Sequence, residues 1–270
     1  MVTLLLQDVS NLEKCQKIKI LFRLWHIYNL LCNMNKGTLF LIPVVMADNA
    51  ASKSLTPYLV DTINAIDEYI VENEKTARRC LKEAGLKTPQ SELIIHDYSK
   101  HNRDADIKTF LQGLEAGKNV GLMSEAGCPG IADPGADIIA EAHRRNIKVV
   151  PLVGPSSILL ALMASGFNGQ SFTFHGYLPI DKLARARKLK DLESFSDRLD
   201  QTQIFIETPF RNNPMMEEIL RTCRNDTYLS VASNLTAEEE FIKTQSVGLW
   251  KKEKIDLHKK PTIFLLYRKK

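Results

Sequence analysis

No C-x-x-C pair, no uninterrupted apolar run of the ~20 residues that cross a bilayer, and no dominant charge occur in this chain of 270 residues. The five cysteines are odd in number and scattered, which excludes a disulfide framework and gives no zinc-ligand spacing; the chain reads as cytoplasmic, from a reducing compartment, with no metal expected. The 36 Lys and Arg exceed the 32 Asp and Glu by a net charge of +4, too little to demand a nucleic-acid partner and compatible with one. Low-complexity tracts and internal repeats are missing too. What is there, 44% hydrophobic and 25% charged residues, is an ordinary folded composition, long enough for one large or two modest domains.

Residues 18–33 are the most apolar stretch, but Lys19, Arg23, His26 and Asn29 interrupt it, which argues against a membrane helix. The basic residues from Lys14 to Arg23, with no small-residue cleavage site before Lys36, argue equally against a signal peptide. The segment reads either as an amphipathic docking helix or as an extension, residues 1–33, preceding a functional start at Met34. The strong strand signal from Gly37 to Ile42 favours the second reading.

From Thr38 onward, short apolar runs alternate with helical periods, as in parallel βα units. Strands are expected at 38–42, 69–71, 93–96, 119–123 and 147–152, with helices at 54–67, 74–84, 107–114 and 134–145 between them. That series makes a doubly wound α/β domain over residues 34–153. After Gly154 the texture changes. Strands at 172–175, 203–207, 228–232, 241–248 and 262–267 are separated by few helices (156–165, 182–195, 213–223), which predicts a second α+β domain, residues 154–270, with a mixed sheet.

Two strand ends carry the chemistry. In Gly121–Gly135, a buried strand runs into a loop of three glycines and two prolines before a helix resumes, at the carboxyl end of a parallel strand where open α/β sheets bind ligands. Glu125 at its mouth either hydrogen-bonds a ligand or is a solvated turn residue. The run Val149–Ser157 repeats the design, with Ser156 expected as the N-cap of a helix whose first N–H groups favour an anion; capping alone also explains both serines. Neither loop is G-x-x-x-x-G-K-[ST] or G-x-S-x-G, so nucleotide hydrolysis and serine-esterase chemistry lack support.

Five blocks, SEAGCPGIADPG (124–135), VVPLVGPSS (149–157), ALMASGF (161–167), FHGYLP (174–179) and FIETPFR (205–211), resemble in order and spacing the bacterial ribosomal RNA small subunit methyltransferase I family, within the tetrapyrrole methylase superfamily. The resemblance implies two α/β domains, S-adenosylmethionine bound in the cleft between them, and a homodimer. It places Ser124, Glu125, Ala126 and Gly127 on the family's S-D-A-G loop and Pro155, Ser156 and Ser157 on its P-G-P-S/C-A turn, as cofactor-binding residues, with Ile42 and Pro43 at the first strand's end beside them. The family's T-P-I-G-N, E-D-T-R and R-E-L-T-K motifs are altered here, at residues 44–49, 72–75 and 233–237.

The resemblance also implies transfer of a methyl group to a ribose 2′-hydroxyl of small-subunit ribosomal RNA. A small-molecule methylase and a donor-binding protein without catalysis are the alternatives. For such an acceptor a proton acceptor is needed, and His175, Glu207 and His96 are the catalytic candidates. Each has a plainer reading, His96 as part of a polar loop and Glu207 as the brace of the Thr208-Pro209 turn. A basic cluster at Lys182, Arg185, Arg187, Lys188 and Lys190, joined by Arg211, Arg221 and Arg224, and a second from Lys251 to Lys260 suit RNA phosphates or a merely solvated face. No aromatic platform is interleaved with the charges.

Overall fold

The structure is a computed structural model that describes residues 36–99 and 107–268; the extension expected at residues 1–33 lies outside them. Two α/β domains are built on two five-stranded sheets. In the first, β1 (Thr38–Leu41), β2 (Glu68–Val71), β3 (Ile94–Asp97), β4 (Val120–Met123) and β5 (Lys148–Pro151) are all parallel, in the order β3-β2-β4-β1-β5. Strands β2 and β4 are buried along their whole length, because helices cover both faces of the sheet.

The two faces can be read from alternate residues. Tyr69 and Val71 pack with Leu59 and Ile63 of α1 (Pro57–Asn64) and with Ala77 and Leu81 of α2 (Glu74–Glu83). Ile70, between them, points the other way, into a core with Leu111, Leu114, and Ile138 and Ala142 of α3 (Ala136–Arg144). The connections leaving β1 and β2 thus lie on one face and those leaving β3 and β4 on the other. Right-handed crossovers running in opposite directions require this. The connections leaving the neighbouring β1 and β4 run in opposite directions on opposite faces, which makes their adjacent carboxyl ends a topological switch point.

Local chemistry corrects several expected boundaries. The helix read from residue 54 to 67 is broken by Pro57, which holds Thr56 extended; a short helix, Ala51–Ser54, ends first. Then α1 begins with the Thr56 hydroxyl oxygen accepting from the Leu59 N–H at 3.2 Å. The helix expected from Ile107 divides into Ile107–Phe110 and Gln112–Glu115.

The second sheet has the order β6-β7-β10-β8-β9, from β6 (Phe172–Tyr177), β7 (Thr202–Ile206), β8 (Tyr228–Ser233), β9 (Phe241–Ser246) and β10 (Thr262–Tyr267). Only β6 and β7 are parallel. One face packs on α4 (Ser157–Ser165), Ala161 and Leu162 meeting Ile204, Ala232 and Ile263. The other is covered by α5 (Lys182–Leu199) and α6 (Asn212–Thr222), with Leu189, Leu192 and Ile219 against Phe205 and Phe264. Strand β9 stops at Ser246, whose hydroxyl caps a short helix, Val247–Trp250, that sequence periodicity does not reveal. The buried Trp250 indole donates to the Leu229 carbonyl at 2.9 Å.

Strand β6 carries a bulge. Phe174 pairs with Ile204 but Tyr177 with Ile206, three residues against two, and Gly176 supplies the positive φ of +63°. The extra residue places Tyr177 on the same face as Phe174 and Ile206.

Gly154, after β5, lies against the Pro43 ring after β1: a Cβ on Gly154 would stand 2.4 Å from Pro43 Cβ and 2.7 Å from its Cγ. Gly154→Ala therefore forces one of two ring-stiffened loops to move, and should cost about 1–3 kcal/mol in urea unfolding. A wild-type midpoint and slope would show that the two loops are not in rigid contact.

Candidate functional site

Three loops leave the carboxyl ends of β1, β4 and β5 and are tied to one another. Val44 and Gly127 exchange two backbone hydrogen bonds, N–H to carbonyl at 2.8 and 2.9 Å, joining the β1 loop to the β4 loop. The Cys128 thiol approaches the Pro155 carbonyl at 3.4 Å, joining the β4 loop to the β5 loop. Gly127 has a φ of +71°, and its missing Cβ would lie 3.8 Å from the Pro155 carbonyl oxygen. A side chain there would be strained by the backbone rather than by crowding.

Helix α4 opens at this junction. Ser156 occupies the N-cap position with extended backbone, yet its hydroxyl makes no capping hydrogen bond, contrary to the expectation from sequence. The first N–H groups of a nine-residue helix therefore lack a side-chain cap, and Ser156 and Ser157 both line an adjacent pocket. Uncapped N–H groups at a helix N-terminus suit a carboxylate or phosphate.

The pocket encloses about 150 Å³. Ala126, Gly127 and Cys128 form one wall, and Phe174, Tyr177, Ile206 and Ile263 of the second sheet form the wall opposite. It thus lies between the two domains. A larger pocket of about 410 Å³ adjoins it, sharing Ser157, Tyr177, Ile206 and Ile263 and adding Met46, Glu207, Asn234 and Glu239. Three non-glycine residues of left-handed backbone stand beside these pockets, Ala132 with φ +62°, Asn234 with φ +50° and the β-branched Thr236 with φ +70°. Such backbone is costly and concentrates where ligands bind.

Asp133 is the residue that sequence reasoning passed over. It lines the smaller pocket, half-buried, near the buried Ser124, whose hydroxyl donates to the Ala126 carbonyl at 3.4 Å. Burial above all raises its carboxyl above the ordinary range, with the neighbouring Ser124 hydroxyl lowering it and the charge of Glu125 raising it by less. Glu125, the carboxylate expected to meet the ligand, is exposed and lines neither pocket. The signal was available in the sequence: Asp133 sits between two glycine turns of the same block, nine residues beyond Ser124.

The other expected residues divide. Ala126, Gly127, Ser156 and Ser157 meet at the pocket, with Pro155 buried directly behind it. Ile42 is wholly buried in the sheet core and Pro43 packs on Gly154, so both support the loops from behind. Of the three catalytic candidates, Glu207 alone borders one of these two pockets. Its Oε1 is engaged by the Thr208 N–H at 2.7 Å and the Arg211 guanidinium at 2.5 Å, so the brace read from the sequence is present as well.

His175 turns to the opposite face of its sheet and bonds Gln203 Oε1 at 2.7 Å; burial, above all, lowers its pKa. His96 lies on the far edge strand, bonded to the buried Glu68 at 2.9 Å. Neither lines the two pockets. The basic cluster also divides: Arg185 is buried and donates to the Ile180 carbonyl, Arg221 is paired with Glu218 and Arg224 with Asp226, while Lys182, Arg187 and Lys190 are exposed.

A family model described as Tetrapyrrole (Corrin/Porphyrin) Methylases matches residues 43–249. Among curated proteins the chain is similar to ribosomal RNA small subunit methyltransferase I of Bacillus subtilis, 33% identical over 211 residues, covering 77% of this chain and 67% of that protein. It is also similar to the proteins of that name from Synechocystis sp., 31% identical over 69% of this chain and 63% of the relative, and from Escherichia coli O157:H7, 29% identical over 81% and 73%. The chain spans about two thirds of the length of such relatives.

Asp133 gives a stability test with a defined sign. Because its folded-state pKa is raised, the ionised carboxylate costs stability: the protein is most favoured below the unfolded-state value and loses that advantage as pH rises through the folded-state value. Asp133→Asn, which cannot ionise, should therefore melt above the wild type at neutral pH, and the difference should close on acidification through the carboxylate range. Equal melting temperatures at neutral pH would refute the assigned desolvation.

Proposed function

The chain belongs to the tetrapyrrole methylase family, and on that premise we propose that it transfers a methyl group from S-adenosylmethionine to a ribose 2′-hydroxyl of small-subunit ribosomal RNA. The observation that carries this reading is the pocket at the β1/β4 switch point, where a glycine-bearing loop, an uncapped helix N-terminus and a desolvated carboxylate meet across from an apolar wall. Such a lining matches a zwitterion with a flat apolar portion. The N–H groups at the start of α4 suit its carboxylate, Asp133 its cationic groups, and Phe174, Ile206 and Ile263 its apolar part. Bound there, the cosubstrate supplies a methyl group already activated by its sulfonium.

The acceptor enters from the larger pocket. Its catalytic residue in this reading is Glu207, whose carboxylate is held in place by Arg211 and the Thr208 N–H. Fixed geometry of this kind lets orientation supply much of the rate, since the leaving group is good and only a hydroxyl proton must be accepted. The RNA acceptor is supported by the names of the similar proteins. A homodimer follows from the same reading. The exposed Val153, Leu159 and Met163, the last two a turn apart on α4, give a second copy an apolar surface. No helix among the described residues is long and apolar enough to cross a membrane, and the ribosomal substrate makes the cytoplasm the working compartment.

Two measurements test the reading. Calorimetry should give saturable binding of S-adenosylmethionine, weakened at least tenfold by Asp133→Asn; unchanged affinity in the variant removes Asp133 from the site. Incubation with methyl-labelled donor should label RNA in small ribosomal subunits or in the free ribosomal RNA. After alkaline hydrolysis the label should stay in alkali-resistant dinucleotides, because a methylated 2′-oxygen cannot attack its phosphate. Label in a tetrapyrrole instead, or donor binding without transfer to RNA, overturns the proposed acceptor.

A further inference from the structure

The last block of the sequence pattern, FIETPFR, contributes more than Glu207. Phe210 is 66% exposed, although it follows Glu207 and Pro209, which line the larger pocket. Its ring meets the His258 imidazole edge-on at 5.9 Å, and the Lys259 N–H donates to the Pro209 carbonyl at 2.9 Å. A basic turn, His258 to Lys260, is thereby fastened beside an uncovered aromatic ring. Tyr177, 59% exposed, stands at the shared border of the two pockets, at the same carboxyl end of the parallel pair β6 and β7.

Single exposed apolar residues are unremarkable, but two exposed aromatic rings and a lysine-bearing turn around one cleft mouth form a chemically specific surface. Flat rings flanked by cations suit an unstacked nucleobase and its phosphates. We propose that the rim formed by Phe210, Tyr177 and Lys259 is the subsite that holds a base and its adjoining phosphate in single-stranded RNA, delivering the neighbouring ribose to the larger pocket. This deepens the RNA-methyltransferase reading and rests on it. Lys259 is chosen for the phosphate because it is exposed and its backbone N–H is bonded to Pro209, the neighbour of Phe210, whereas Lys260 already donates to the Asp256 carbonyl at 2.9 Å. A duplex would keep its bases stacked and leave the rings unused.

The test uses the full chain and a fluorescent single-stranded oligonucleotide of small-subunit ribosomal RNA sequence, read by anisotropy over a salt series. Phe210→Ala should weaken binding by about 5- to 150-fold, the range for losing one base-stacking contact, and Phe210→Trp should restore it. Lys259→Ala should flatten the slope of log affinity against log salt by about 0.7. Donor affinity by calorimetry should stay at the wild-type value in Phe210→Ala, which establishes that the variant is folded. Wild-type RNA affinity in Phe210→Ala overturns this inference alone, as does a variant that loses only self-association in light scattering. A wild-type chain that binds the donor but no RNA overturns the RNA acceptor as well.

Discussion

The two hydrogen bonds exchanged between Val44 and Gly127 tie together loops that leave neighbouring strands on opposite faces of the first sheet. Without them the switch point would be a gap between diverging chains. With them, and with Pro43 seated on Gly154, the three loops form one platform that backs the pocket. Each contact involves backbone or a proline ring, so the platform's shape depends little on flexible side chains. Ile42, buried below, and Pro155, buried behind, hold it from the core side.

Onto this platform the sequence puts groups that are unfavourable in isolation. A helix start without a side-chain cap, a carboxylate desolvated beside a second carboxylate, and left-handed backbone at Ala132 and Thr236 all cost stability. Their concentration along one cleft is the physical mark of a binding site, since a ligand that supplies an anion, a cation and an apolar surface relieves several of these costs together. The stability comes from elsewhere, from the wholly buried β2 and β4 and from the core under the second sheet around Phe205, Phe264 and Trp250.

Much of the fold was legible because apolar runs and glycine stops report burial and turns directly. The strand-to-loop signals at Met123 and Leu152 lead to one pocket, where Ala126, Gly127, Ser156 and Ser157 meet. Side-chain direction was not legible. Glu125 and Asp133 are both carboxylates of one glycine-rich loop, and only the loop's path decides which one faces inward. His175 and Tyr177 are two residues apart, which in a regular strand would put them on one face; the bulge at Gly176 separates them. Charge was misleading in another way, because a count of Lys and Arg does not reveal that Arg185 is inside and Arg211, Arg221 and Arg224 are paired.

That bulge has a wider implication for how the cleft varies among related chains. Which side chains tile its outer wall is decided by chain length between Phe174 and Tyr177 as much as by residue type. A regular strand of the same length would put position 176 on the cleft face and turn the Tyr177 phenol away, to the side where His175 meets Gln203. The make-up of the entrance thus rests on a backbone irregularity, which comparisons scored by residue type alone would overlook.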